Sequence, residues 1–208
     1  MEGLFQKRLK KAQRIANFLS IAPFVRMVGL NGSMTKGTMR EDSDIDFLII
    51  AGHGRIWTVR FLVTILTHIT GQRRYGNKVA GRICLNRYQS EHFLRIEPRN
   101  LYHAETFAAL TPLYDDNIYK YYRDANHWMR EFHFHVSPSL RLKPKVNRIN
   151  KTLQRFCEFI LSGFFGNLLE KILRDYQAKR ILKDVRTYKV PKGRVRISDW
   201  ELCLHPKK

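Results

Sequence analysis

The stretch VRMVGLNGSMTKGTMREDSDIDFLII, Val25 to Ile50, decides how the rest of the chain is read. Two apolar runs enclose a Gly32-Ser33 pair and, further on, Ser43-Asp44-Ile45-Asp46. Side chains alternate across a strand, so Asp44 and Asp46 point to one face while Ile45 is buried beneath. Both carboxylates can then grip the same divalent ions. The Gly-Ser turn can offer backbone N–H groups and a hydroxyl to a phosphate, which is what a metal-bound nucleotide needs beside it. A turn and two surface acids are the bland alternative. Against it, the acids sit among apolar residues, where an uncompensated charge is costly.

Working outward, apolar residues from Leu4 to Ser20 recur at helical spacing, with Lys and Arg on the other face, and Ala22-Pro23 ends that helix. Phe24 to Leu30 reads as the first strand, Asn31 to Asp42 as a loop, and Ile45 to Ala51 as the second strand. Ile56 to Thr70 is a strongly apolar helix with Arg60 inside it. A basic loop from Gly71 to Lys78 leads to a third core strand over Val79 to Tyr88, with Ala80, Arg82, Cys84 and Asn86 on one face. Beyond Ser90 the pattern turns helical: Asn100 to Leu110, Asp116 to His133, and about Val146 to Lys183, with breaks at Pro98, Pro112 and Pro138 to Pro144. The tail from Arg186 to Leu204, with Pro191, Gly193, Val195 and Ile197, suggests a short hairpin or an extended arm. The fold class is therefore α+β: a small mixed sheet flanked by helices, with a helical C-terminal half. The division falls into a core over 1–98 and a helical region with a short extended tail over 99–208.

Charge is the outlying property of the composition. There are 38 Lys and Arg against 18 Asp and Glu, a formal net charge of +20. Such a field attracts polyanions, including nucleic acid, nucleotide phosphates and anionic surfaces, without choosing among them. Cys84, Cys157 and Cys203 have no zinc-finger spacing and fit free thiols in a reducing compartment, so cytoplasm is the expected location. The basic N-terminus lacks a signal peptide's apolar core. Phe156 to Leu169 is the most apolar window, but it contains Glu158 and is too short to span a bilayer. It reads as a buried or interfacial helix, and the sequence argues against a membrane partner.

The order of apolar strand, Gly32-Ser33, loop, and Asp44-x-Asp46 within a second apolar strand resembles the DNA polymerase beta-type nucleotidyltransferase superfamily, in the style of its minimal members. The resemblance covers roughly Arg26 to Ile50. It implies a magnesium-dependent enzyme that moves a nucleoside monophosphate from a nucleoside triphosphate to an acceptor hydroxyl, with Mg2+ held by Asp44 and Asp46. It further implies phosphate contacts from Gly32 and Ser33, and Lys36 in the same loop can reach a phosphate. Family members usually carry another acid on a later strand. The matching position here is Asn86, which can ligate a metal but cannot act as a base. Glu91 or Glu97 can alternatively supply the acid from a loop, or the scaffold can serve as a weakly active or inactive nucleotide- or RNA-binding module. The acceptor stays open, with nucleic acid one candidate.

Other features carry less. The aromatic series Tyr119, Tyr121, Tyr122, Trp128, Phe132 and Phe134 can stack on a base, but aromatics at helical spacing more often form core. Arg130 and His135 form a chance-level pair. The scattered histidines contain no His-Glu-x-x-His arrangement and the cysteines no Cys-x-x-Cys, which argues against a zinc enzyme.

Overall fold

A computed structural model describes residues 2–144, 146–184 and 195–204. Helix α1 (Glu2–Leu19) leads into strand β1 (Val25–Asn31), a single helical turn α2 (Ser33–Lys36), strand β2 (Ile45–Ala51), helix α3 (Ile56–Ile69) and strand β3 (Ile83–Ser90). There follow α4 (Leu101–Phe107), β4 (Thr111–Asp115), α5 (Tyr119–Ala125), a 3-10 segment at His127–Phe132, α6 (Arg148–Leu161), α7 (Phe164–Leu182), and the short strands β5 (Arg196–Ile197) and β6 (Glu201–Cys203). The strands form one mixed sheet in the order β4-β1-β2-β3-β6-β5. Of these strands only β2 and β3 pair in parallel, because α3 crosses over between them. The α+β expectation holds.

Every residue of β2 is buried, so both faces of the sheet are covered at its centre. One face, through Ile45, Phe47, Ile49 and Ala51, joins the core made with α1, α3 and α7. The other, through Leu48 and Ile50, packs with Met27, Ala104, Phe107, Tyr122 and Trp128. That second face is the one Asp46 shares by alternation. The basic side of α1 is not idle: Arg8, 5% exposed, donates to the carbonyls of Arg40 and Glu41, and Lys11 donates to that of Gly81. These bonds tie down the loops on either side of Asp44.

Several elements depart from the sequence expectation: the loop expected over Asn31 to Asp42 contains the turn α2, and the helix expected over Asp116 to His133 is divided into α5 and the 3-10 segment. The third strand starts at Ile83 rather than Val79, because Gly81 at φ +62° makes a turn there and its N–H bonds to the Ser43 carbonyl. Pro112, expected as a break, lies inside β4, an edge strand where its missing N–H costs no ladder bond. It faces Gly29 where the register shifts. The long C-terminal helix is broken at Ser162–Gly163 into α6 and α7. The expected tail hairpin exists as β5 paired with β6, although Pro191 and Gly193 lie outside the described residues. Since β4 and β6 both join the sheet, its strands come from both sides of residue 98.

Tyr122 and Trp128 are fully buried, as core aromatics should be, while Tyr121 is exposed. Asn126 explains part of that packing: its side chain accepts from the Ile96 N–H and donates to the carbonyls of Leu94 and Tyr122. The Phe156 to Leu169 run is not a buried helix. Phe156, Phe159, Phe164 and Phe165 are all exposed, while Glu158 turns inward to Arg26 and to the Phe24 N–H. Among the described residues, no helix is long and apolar enough to cross a membrane.

Candidate active site

The site is built where β1, β2 and β3 begin or end side by side. In the antiparallel register of β1 and β2, Asn31 lies opposite Asp46. In the parallel register of β2 and β3, Asp46 lies beside Cys84. Asn31, Asp46 and Cys84 therefore form a row across three neighbouring strands, and Asp44 immediately precedes β2. The carboxylate oxygens of Asp44 and Asp46 and the Cys84 sulfur lie within 4.8 Å of one another.

Gly32 explains how Asp46 fits. Its φ of +75° already favours glycine, and a Cβ built there would stand 2.2 Å from Asp46 Oδ2. Only a residue without a side chain lets the backbone lie against that carboxylate. Ser33 opens the turn of α2 that follows. Lys36 ends that turn and is paired at 2.5 Å with Glu105 of α4, so its charge is engaged there.

The acids are held by neighbours of opposite character. Asp44 Oδ2 accepts from Arg74 Nη1 at 2.6 Å, and the same nitrogen stands 3.7 Å from Cys84 Sγ. Asp46, 5% exposed, accepts through Oδ1 from the Asn86 amide nitrogen at 3.0 Å. Burial pushes the Cys84 thiol well up, the charges of Asp46 and Asp44 push it further, and Arg74 only partly opposes them. Burial works against the Arg74 charge, but Cys84 and Asp44 outweigh it and hold the guanidinium more firmly protonated. One guanidinium thus occupies the position between an acid and a thiol.

A register shift between Phe47 and Leu48 changes what β3 presents beyond Cys84. Leu48 pairs with Arg87 instead of Asn86, so Arg87 joins Asn86 in lining the cavity beside Asp46. Strict alternation over the third strand puts Arg87 on the opposite face, which is why the sequence reading misses it. Arg87, 2% exposed, pairs with Glu201 of β6 and lies over the Phe107 ring at 5.0 Å. Burial raises the Glu201 carboxyl despite Arg87 and Arg196. His103 of α4 lines the same cavity, with Nδ1 2.8 Å from Asn100 Oδ1. Burial first, then Arg87 and Arg196, lower it to about 4, so its imidazole is neutral.

The cavity measures about 40 Å³, room for a water molecule or an ion but not a nucleotide. Into it looks Asn31, 2% exposed, whose Oδ1 has no hydrogen-bond partner among the described residues. Glu91 and Glu97 do not reach this place. Glu91 accepts from the His53 N–H and pairs with Arg26, at the end of β2 where its own N–H meets the Ala51 carbonyl. Glu97 pairs with Arg95. Of the sequence-read residues, the structure gathers Gly32, Asp44, Asp46 and Asn86, adds Cys84, and turns Lys36 to Glu105.

Two adjacent carboxylates on a mixed sheet, with a glycine backbone laid against one of them, make an arrangement suited to phosphoryl transfer. Residues 9–87 match the family model of the nucleotidyltransferase domain. That segment, which holds Asp44, Asp46, Cys84 and Asn86, is thus similar to a nucleotidyltransferase domain, a likeness that supports nucleotidyl transfer in general terms. No curated protein and no solved structure gives a significant match to the chain.

The donor set fits a divalent cation. Two carboxylates suit Mg2+, which keeps waters and takes its remaining ligands from substrate phosphates. A thiol does not suit Mg2+.

Proposed function

We propose that the protein transfers a nucleoside monophosphate from a nucleoside triphosphate to an acceptor hydroxyl in a divalent-metal-dependent reaction, Mg2+ accompanying the triphosphate. The acceptor oxygen bonds to the α-phosphorus as the bond to pyrophosphate breaks, and the hydroxyl proton leaves to solvent. The observation that carries this reading is the convergence of Asp44 and Asp46 beside Gly32, inside the segment that matches the domain. Asp44 and Asp46 would hold the cation, which when bound neutralises charge developing on the transferred group. Gly32 keeps the Asp46 carboxylate seated against the backbone, and Gly32 and Ser33 present the turn that receives the phosphates. Lys36 would exchange Glu105 for a phosphate oxygen, a swap open to a long cationic side chain. Asn86 orients Asp46 by its hydrogen bond. Residues 1–98 would carry the catalytic core, and 99–208 would cover its site face through α4 while adding β4 and β6. Free thiols and the basic charge suit work in the cytoplasm on a polyanionic substrate, with nucleic acid among the acceptors.

A second reading has its own observation. The Arg74 guanidinium sits between Asp44 and Cys84, where a cation would be needed, and this favours a module that binds nucleotide without turnover. Incubating the full chain with each α-labelled nucleoside triphosphate and Mg2+ separates the two. The catalytic reading expects label transfer with pyrophosphate release, both lost in the Asp44→Ala, Asp46→Ala double variant. Transfer that survives the double variant contradicts the site, and nucleotide binding without pyrophosphate release from any acceptor pool supports the module.

A further inference from the structure

Helices α6 and α7 each bury one face and leave a second, apolar face uncovered. Gln154 of α6 and Leu173 and Gln177 of α7 are buried against the body of the protein. With about 100° of rotation per residue, Phe156 and Ile160 stand on the far side of α6 from Gln154, and both are exposed. On α7 the exposed residues Phe165, Leu168, Ile172 and Tyr176 follow one another at helical spacing. We infer that this outer face, with the corner between the two helices, seats on an anionic lipid bilayer, the helices lying in its surface without crossing it. The expectation against a membrane partner rests on the shortness of the Phe156 to Leu169 run, and a helix that lies on a surface needs no span.

Shape, charge and position carry the assignment. At the corner, Phe159, Phe164 and Phe165 are 80%, 75% and 77% exposed, so their rings project from the protein and do not line a groove. Projecting rings suit a soft apolar medium, and a contiguous apolar surface of this kind marks an interaction site. The charge around them is one-sided, because the acids of the two helices are engaged. Glu158 turns inward to Arg26 and the Phe24 N–H, Glu170 accepts from the Trp57 and Thr58 N–H groups at the start of α3, and Asp175 is paired with Arg174. Arg148, Arg155, Lys171, Lys179 and Arg180 are exposed on the same helices.

That charge chooses among the occupants an apolar face can take. A second copy of this chain would bring a net charge of +20 against +20, and the two would repel. Nucleic-acid phosphates match the cations but leave Ile160, Leu168 and Ile172 without an apolar medium. An anionic bilayer satisfies both: its headgroups attract each nearby Lys or Arg by about 1 kcal/mol, and its acyl boundary takes Phe and Leu. Position completes the fit. Arg55, in the loop after β2, donates to the carbonyls of Leu161 and Ser162 and fixes the corner at the C-terminal end of that strand. Asp46 lies at the other end of β2, so a bilayer under the corner leaves the Asp46 end facing water. The inference is independent of the activity proposed for that end.

Flotation of the full-length protein with vesicles of phosphatidylcholine, alone or with about 30% phosphatidylglycerol, at about 0.15 M salt, tests it. The protein should bind the anionic vesicles at least about tenfold more tightly than the neutral ones. Replacing Phe159, Phe164 and Phe165 together by Ala should weaken that binding about 100-fold with the urea midpoint unchanged, and Arg155→Gln with Lys171→Gln should weaken it about tenfold. A strongly basic protein adheres to anionic vesicles through charge alone, so the triple variant decides: binding equal to that of the native protein overturns the proposal. Should that variant not fold, Phe165→Trp in a Trp57→Phe, Trp128→Phe, Trp200→Phe background, or in the native background with difference spectra, gives a second readout through lipids brominated on the acyl chain. Quenching at position 165 supports seating, and its absence overturns it. Failure to bind either vesicle overturns the proposal, as does a lipid-free dimer in sedimentation velocity that the triple variant abolishes, which would assign the face to a second copy.

Discussion

Strands β2 and β3 run parallel and side by side, yet they bring different chemistry to the same edge. The β2 side offers two carboxylates spaced by alternation, while β3 offers a thiol, an amide and, past a register shift, a buried arginine. The comparison teaches that a site's charge can come from one strand while its selectivity and its anchorage come from the next. On the proposed function, Asp44 and Asp46 would set the sign of the ligand, and Asn86 and Arg87, which line the cavity beside Asp46, would set how it is held.

The sharpest way to break the comparison is to exchange one residue from each strand. Asp46→Ala should lower nucleotidyl transfer by about 10³-fold, and Asn86→Ala by only about tenfold, since one supplies the charge and the other an orienting hydrogen bond. Rates with labelled triphosphate at saturating Mg2+ measure both. Equal losses would merge the two roles. Next in size, Arg87→Met strips the buried Glu201 of its nearest cation and should destabilise the protein by about 3 kcal/mol in urea unfolding. A cost near zero would mean that Arg196, 3.0 Å from Glu201, suffices alone.

Gly32→Ala and Gly37→Ala sharpen the reading of the β1–β2 turn. Both glycines have positive φ, but a Cβ at Gly37 meets nothing within 4 Å, whereas at Gly32 it meets Asp46. The left-handed conformation of Gly37 costs an alanine about 1 kcal/mol, whereas Gly32, at φ 75° and ψ -145°, lies in an essentially glycine-only region that costs about 1–3, and overpacking against Asp46 should add about 2 there. The smallest effect concerns pH. His103 is held neutral with its folded value lowered to about 4, so the unfolded chain takes up a proton first as pH falls. Its contribution is fully present above about pH 6.5 and is lost as pH falls through 4, about 1 kcal/mol after allowance for its partial exposure. Urea midpoints between pH 7 and pH 4 should fall less steeply in His103→Gln than in the native protein, beyond the shared acid loss of the carboxylates.

The two strands also differ in how much of them was legible beforehand. Asp44, Asp46, Gly32 and β2 were readable because local spacing fixes them: alternation places the acids, and apolar runs bound the strand. The first half of the fold followed for the same reason, since helical and strand periods are local. β3 was harder. Its start depends on the Gly81 turn, and its facing depends on a register shift against β2, so Asn86 was read as the third donor while Cys84 lies directly beside Asp46. β4 was missed because Pro112 reads as a breaker until an edge position makes it harmless. Asn31 carried no signal at all. Its Oδ1 lacks a partner among the described residues, which only packing reveals.

The most direct test of a cation-binding nucleotidyl site at this edge is anomalous diffraction from crystals grown with Mn2+ and a non-hydrolysable nucleoside triphosphate. The account predicts a metal peak shared by the carboxylates of Asp44 and Asp46, Arg74 displaced from Asp44, and the triphosphate lying against Gly32 and Ser33. A nucleotide bound elsewhere, with no metal peak and Arg74 still paired to Asp44, would contradict it.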